Sequence, residues 1–83
     1  MDWRERIAAD PKVMVGKSVI KGTRITVEFI IQLLGNGWSI GEILEEYPHV
    51  TEEDIRACLY YAHDIVKMVR EYPLKASSHA VSR

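Results

Sequence analysis

Apolar side chains recur along this chain with two different periods. From Val27 onward, Phe29, Ile30, Leu33 and Leu34 fall at the i, i+1, i+4, i+5 spacing of one helix face, which predicts a helix over 27–36. Gly35-Asn36-Gly37 ends it, because glycine accepts the left-handed conformation that reverses a chain at a helix C-terminus. Trp38 is expected to plug that corner. Ser39 followed three residues later by Glu42 is a capping box and opens a second helix over 40–46, with Ile40, Ile43 and Leu44 inward and Glu45-Glu46 outward. Tyr47-Pro48 closes it. Thr51 then caps a third helix over 52–72, whose first turn holds Glu52, Glu53 and Asp54 where the helix dipole favours carboxylates. Its apolar positions are Ile55, Cys58, Leu59, Ala62, Ile65, Val66, Val69 and Tyr72. At 1.5 Å per residue it would be about 30 Å long, so its far half outruns the body of so small a domain.

Upstream of Val27 the pattern shortens to β-branched pairs. Val13-Met14-Val15, Val19-Ile20 and Arg24-Ile25 read as a small hairpin over 13–25, with Lys21-Gly22-Thr23 as its tight turn and Gly22 at positive φ. Thr26 follows as the N-cap of the first helix, so the hairpin aims that helix. Ahead of it, Trp3-Arg4-Glu5-Arg6-Ile7 has the makings of one helical turn ending before Asp10-Pro11. The expected fold is therefore mainly α: a three-helix, helix-turn-helix-like domain with a small N-terminal β-hairpin. Residues 1–72 form this single domain and 73–83 a flexible C-terminal tail. Leu33, Ile43, Ile55 and Leu59 are expected to be buried together, with Trp3, Phe29 and Trp38 also in the core.

Length limits what such a fold can hold. A chain of 83 residues buries less than about 70% of its unfolded surface, so oligomerisation would help it. A homodimer is expected, with Val66, Met68 and Val69 in its interface. The single cysteine, Cys58, cannot form an internal disulfide. No signal peptide is evident, nor any apolar run near the roughly 20 residues that span a bilayer. These features predict a cytoplasmic protein.

The net charge of −1 argues against nonspecific coating of nucleic acid, but it conceals a pattern. Residues 1–27 hold six Lys/Arg against three acids, residues 28–64 hold Arg56 against eight acids, and residues 65–83 hold four Lys/Arg against Glu71. A basic front and tail around an acidic middle suit two partners of opposite charge, and equally a solvated surface.

Several chemistries fail on spacing. Gly16-Lys17-Ser18 resembles the end of a phosphate-binding loop, yet Pro11 stands where the loop needs its first glycine. His49, His63 and His79 lack metal-ligand spacing with each other or with Cys58, and Cys58 falls on the apolar stripe. No catalytic constellation and no cofactor is expected. A binding module remains. The order of its helices is that of a helix-turn-helix, whose last helix enters the major groove by its N-terminal residues. Lys17, Lys21 and Arg24 on the hairpin would clamp phosphates, and Thr51, Arg56 and Tyr60 would reach bases. Glu52, Glu53 and Asp54 have the wrong sign for that approach. For Arg24, a hydrogen bond tying the hairpin to the helix ends is an equal alternative.

The segment Gly16-Lys17-Ser18-Val19-Ile20-Lys21-Gly22-Thr23-Arg24-Ile25-Thr26-Val27, followed by Gly37 and by Tyr47-Pro48 with Thr51-Glu52-Glu53-Asp54-Ile55, closely resembles the domain-of-unknown-function DUF433 family. The resemblance runs from about Ile7 to about Ala62. One departure is Val15-Gly16-Lys17-Ser18, where the family usually has Gly-Gly-Lys-Pro. Membership implies a helix-turn-helix-like domain of antitoxin type, partnered by a PIN-like ribonuclease. Such nucleases gather carboxylates around divalent metal, so Arg70, Lys75 and Arg83 on the basic tail are the expected partner-binding residues. Three readings stay open: a DNA-binding antitoxin-like regulator, a protein-binding module without DNA contact, and a homo-oligomeric domain of unrelated role.

Overall fold

The computed structural model describes residues 1–9 and 17–69. The expected strand at 13–15, the last turn of the third helix at 70–72 and the tail at 73–83, with Arg70, Lys75 and Arg83, lie outside the described residues. Three helices carry the structure: α1 (Val27–Gly35), α2 (Ile40–Glu46) and α3 (Glu52–Val69), preceded by a 3-10 turn (Trp3–Glu5) and the strands β1 (Ile7–Ala9) and β2 (Ser18–Ile20).

Each helix begins on the side chain that the sequence assigns to it. Thr26 Oγ1 accepts from the Phe29 amide at 3.0 Å. The Ser39–Glu42 box is closed in both directions, at 3.1 and 2.8 Å. At the end of α1, Trp38 N–H donates to Leu33 O and Gly37 N–H to Leu34 O, the paired bonds of a Schellman motif, with Gly37 at φ +97°. A positive φ costs an L-residue about 1–2 kcal/mol, which is why glycine stands there.

The β element differs from expectation in its pairing. The main ladder joins β1 to β2 antiparallel, with Ile7 opposite Ile20 and Ala9 opposite Ser18. Ile7 is therefore a buried strand residue and not the end of a helical turn. The turn stops at Glu5 because Arg6 O is taken by the Lys21 amide, which draws the chain into the sheet. The tight turn after β2 does form: Gly22 sits at φ +81° and the Ile20 amide donates to Ile25 O at 2.9 Å. Beyond it, residues 24–25 add no strand, and only an isolated bridge joins Val19 to Thr26.

Ile7, Ile20, Val27, Ile30, Leu33, Ile43, Val50, Ile55, Ala57 and Cys58 form the core. Trp3, Phe29 and Trp38, expected inside, are half-buried caps packed against it. Phe29 meets Tyr47 edge-to-face at 5.6 Å, and Trp3 meets Tyr61 at 4.7 Å. One expected core residue is misplaced. Leu59 is 44% exposed, whereas Leu33, Ile43 and Ile55 are buried. The buried face of α3 runs through Ile55 and Cys58. Leu59 sits a further 100° round from Cys58, toward the exposed Arg56 and His63.

Candidate nucleic-acid interface

The start of α3 is held by three bonds to one residue, two of them to its carboxylate. Asp54 Oδ2 accepts the Thr51 amide at 3.0 Å while Thr51 Oγ1 accepts the Asp54 amide at 3.1 Å, a capping box with aspartate in the third position. Its other oxygen takes the Arg6 guanidinium at 3.1 Å. Asp54 is only 7% exposed, so the pair is partly desolvated and fixes the N-terminal segment against the helix. Lys21 N–H donates to Arg6 O at 2.8 Å. A continuous path thus leads from the Lys21–Arg24 turn through Arg6 to the first turn of α3.

The expected DNA-contacting residues separate on this frame. Lys21 and Arg24 are exposed on the tight turn, and neither has a carboxylate partner among the described residues. Arg24 likewise makes no side-chain hydrogen bond among the described residues, so nothing there ties the hairpin to a helix end. Lys17 lies at the other end of β2, paired with Glu28 at 2.6 Å; that lysine holds the Glu28 carboxyl below its usual range. Thr51 spends its hydroxyl on the cap. Arg56 bonds Glu52 at 2.9 Å one turn back, an exposed i,i+4 pair of the kind that holds weakly and yields to a better partner.

Arg56 and Tyr60 are joined by two residues that the sequence reading left out. His63 and Lys67 stand seven and eleven residues after Arg56, so all four share one exposed face of α3. The signal was legible, since i, i+4, i+7, i+11 is helical spacing. The apolar positions do not reveal it, because they mark the buried face. Arg56, Leu59, Tyr60, His63 and Asp64 line an open cleft of about 570 Å³ on this face. Arg6 is the other missed cation. No local pattern marks it, because its partner is 48 residues away.

Further along α3, Asp64 accepts the Trp3 indole N–H at 2.7 Å and lies 3.3 Å from His63 Nδ1. The indole bond, with His63 second, holds the Asp64 carboxyl below its ordinary value. Tyr61 and Ser18 share a hydroxyl bond of 2.7 Å that fastens β2 to the same helix. Cys58 is fully buried, and desolvation pushes its thiol up to about 12, which leaves it unreactive. Among the described residues no three His, Cys, Asp or Glu side chains converge to hold a metal ion.

A three-helix body with a short second helix, a turn and an exposed polar face on the third helix defines a small helix-turn-helix-like domain. The chain belongs to the DUF433 family, described as a protein of unknown function, whose family model matches residues 7–62. It is similar to the crystal structure of a DUF433 member protein from Anabaena variabilis, with a TM-score of 0.70 at 29% identity, covering 80% of this chain and 65% of that one. Uncharacterized protein y4eO of Sinorhizobium fredii is 32% identical over 59 residues, which span 71% of this chain and 27% of that protein. An uncharacterized protein of Archaeoglobus fulgidus is 59% identical over 29 residues, 35% of this chain and 81% of that one. None of these descriptions names an activity. No helix among the described residues is long and apolar enough to cross a membrane.

Proposed function

We propose that this protein is a DNA-binding, antitoxin-like regulator that acts in the cytoplasm without catalysis of its own. The observation that supports this most is the exposed Arg56–Tyr60–His63–Lys67 face of α3, with the Lys21–Arg24 turn joined to the start of that helix through Arg6 and Asp54. In this reading the helix face lies toward the major groove, where Arg56, Tyr60 and His63 supply hydrogen bonds to base edges. Lys21, Arg24 and Lys67 neutralise phosphates. Lys17 contributes less than its turn neighbours because Glu28 already holds it. The partner, a PIN-like ribonuclease, comes from the family resemblance; the tail residues expected to meet it lie outside the described residues.

A second reading is favoured by the exposed Glu52 and Glu53 at the first turn of α3, which would repel phosphates approaching there. It makes the chain a protein-binding module that leaves DNA to others. Binding of the full chain to the DNA upstream of its own gene, followed against salt, separates the two. Phosphate contacts make affinity fall linearly with salt on logarithmic axes. Lys21→Ala should lower that slope by about one unit, and Arg56→Ala should relax preference at one base pair. Absence of any complex at low salt would overturn the DNA reading in favour of the second.

A further inference from the structure

We propose that Asp64, anchored by Trp3, is a positioning residue that keeps the proton of His63 on Nδ1 and so presents the bare Nε2 as an acceptor for an exocyclic amino group. The anchor is long-range. The Trp3 indole donates to Asp64 Oδ2 at 2.7 Å across 61 residues of sequence, and the edge-on contact of Trp3 with Tyr61 at 4.7 Å steadies the indole ring. The second carboxylate oxygen, Asp64 Oδ1, lies 3.3 Å from His63 Nδ1. The indole bond, followed by the one to His63, holds the Asp64 carboxyl below its ordinary value, so it is ionised at neutral pH. An ionised carboxylate offers only lone pairs, and the ring nitrogen that meets it has to bring the proton. In a neutral imidazole the other nitrogen is then bare.

Nε2 makes no hydrogen bond among the described residues, and His63 lines the open cleft together with Arg56, Leu59 and Tyr60. The neighbouring charges leave the Asp64–His63 contact intact. On α3, Arg56 is engaged by Glu52 at 2.9 Å and Lys67 stands one turn further along. From the N-terminal turn, Arg4 lies over the Trp3 ring at 4.5 Å and pairs with Asp2. Arg56 and Lys67 carry donors only, so Nε2 adds an uncharged acceptor fixed in direction, which the rotating Tyr60 hydroxyl is not.

The ligand assignment rests on the DNA reading above. In the major groove the hydrogen-bond donors are the exocyclic amino groups, N6 of adenine and N4 of cytosine, while the other polar atoms on those edges are acceptors. Arginine and lysine read the acceptors. An acceptor nitrogen held outward reads the amino groups, and a second proton on the ring would turn Nε2 into a donor and cancel that reading.

The first arm of the test needs no DNA. Nitrogen NMR of the histidine rings in the full chain at mildly alkaline pH, with His63 assigned from its loss in His63→Ala, should show the proton on Nδ1. Asp64→Asn, of the same shape, should invert this: the indole takes the amide oxygen, the amide NH2 faces Nδ1, and the proton moves to Nε2. A wild-type His63 with its proton on Nε2, or the same form in wild type and folded Asp64→Asn, overturns the positioning. The second arm uses duplexes of the upstream DNA in which N6-methyladenine or N4-methylcytosine replaces one base at a time, which keeps the pairing but turns the groove-facing amino proton into a methyl. At one position the wild type should lose at least about fivefold in affinity. His63→Ala, weaker on the unmodified duplex, should lose nothing further there. A duplex that is bound with no such position overturns the amino-group assignment while the DNA reading stands. Absence of any complex at low salt overturns the DNA reading and the amino-group assignment together, and the tautomer alone then decides whether Asp64 positions His63.

Discussion

Asp54 is the residue on which the described structure depends most sharply. Its carboxylate accepts the Thr51 amide and neutralises Arg6 across 48 residues of sequence, while its own amide donates to Thr51 Oγ1. Asp54→Ala should therefore cost on the order of 2 kcal/mol, combining a lost cap with an unpaired guanidinium, and lower the thermal midpoint by about 10 °C. Leu59→Ala should cost less than about 1 kcal/mol because the side chain is already half in water, whereas Ile55→Ala should cost about 2–5 kcal/mol. Denaturant titration of the pair checks this. Asp64 adds a pH dependence. Its folded carboxyl is held below its unfolded value, so the stability it contributes is present above the unfolded pKa near 3.8 and lost as pH falls through the lower folded one. Between pH 5 and pH 3, Asp64→Asn should lose less thermal stability than the wild type. An equal loss would mean that the Trp3–Asp64 bond is not maintained in solution.

The helices were legible because their boundaries are written in single residues. Thr26, Ser39 with Glu42, and Thr51 start α1, α2 and α3 where expected, and Gly37 stops α1 within one residue of its predicted end. Strand β1 was not legible, since Ile7-Ala8-Ala9 has no β-branched alternation and becomes a strand only because Ile20 is opposite. The exposure of Leu59 was not legible for a related reason: periodicity marks a broad apolar face but not which edge of it the rest of the fold covers. Of the candidate site, Arg56 and Tyr60 were visible in the helical order, whereas Arg6 depends on tertiary pairing. Two glycines in one corner separate these effects. Gly37→Ala should destabilise by about 1–2 kcal/mol through its positive φ. Gly35, in ordinary helical backbone with open space around its Cβ position, should become more stable by about 0.4–1 kcal/mol as alanine.

At the scale of the whole molecule, α3 has two jobs on two faces. Its inner stripe closes the core through Ile55 and Cys58, while Ile65, Val66 and Met68 further along are exposed; its outer face carries Arg56, Tyr60, His63 and Lys67. The division of charge along the sequence anticipated this only coarsely, because most acids in the middle third lie on α2 and in the first turn of α3. The measurement that tests the account most directly is an amide spectrum of the full chain titrated with the duplex upstream of its own gene at low salt. The account predicts shifts concentrated at Lys21, Arg24, Arg56, Tyr60, His63 and Lys67. Shifts confined to the Ile65–Met68 stretch, or none at all, would contradict it.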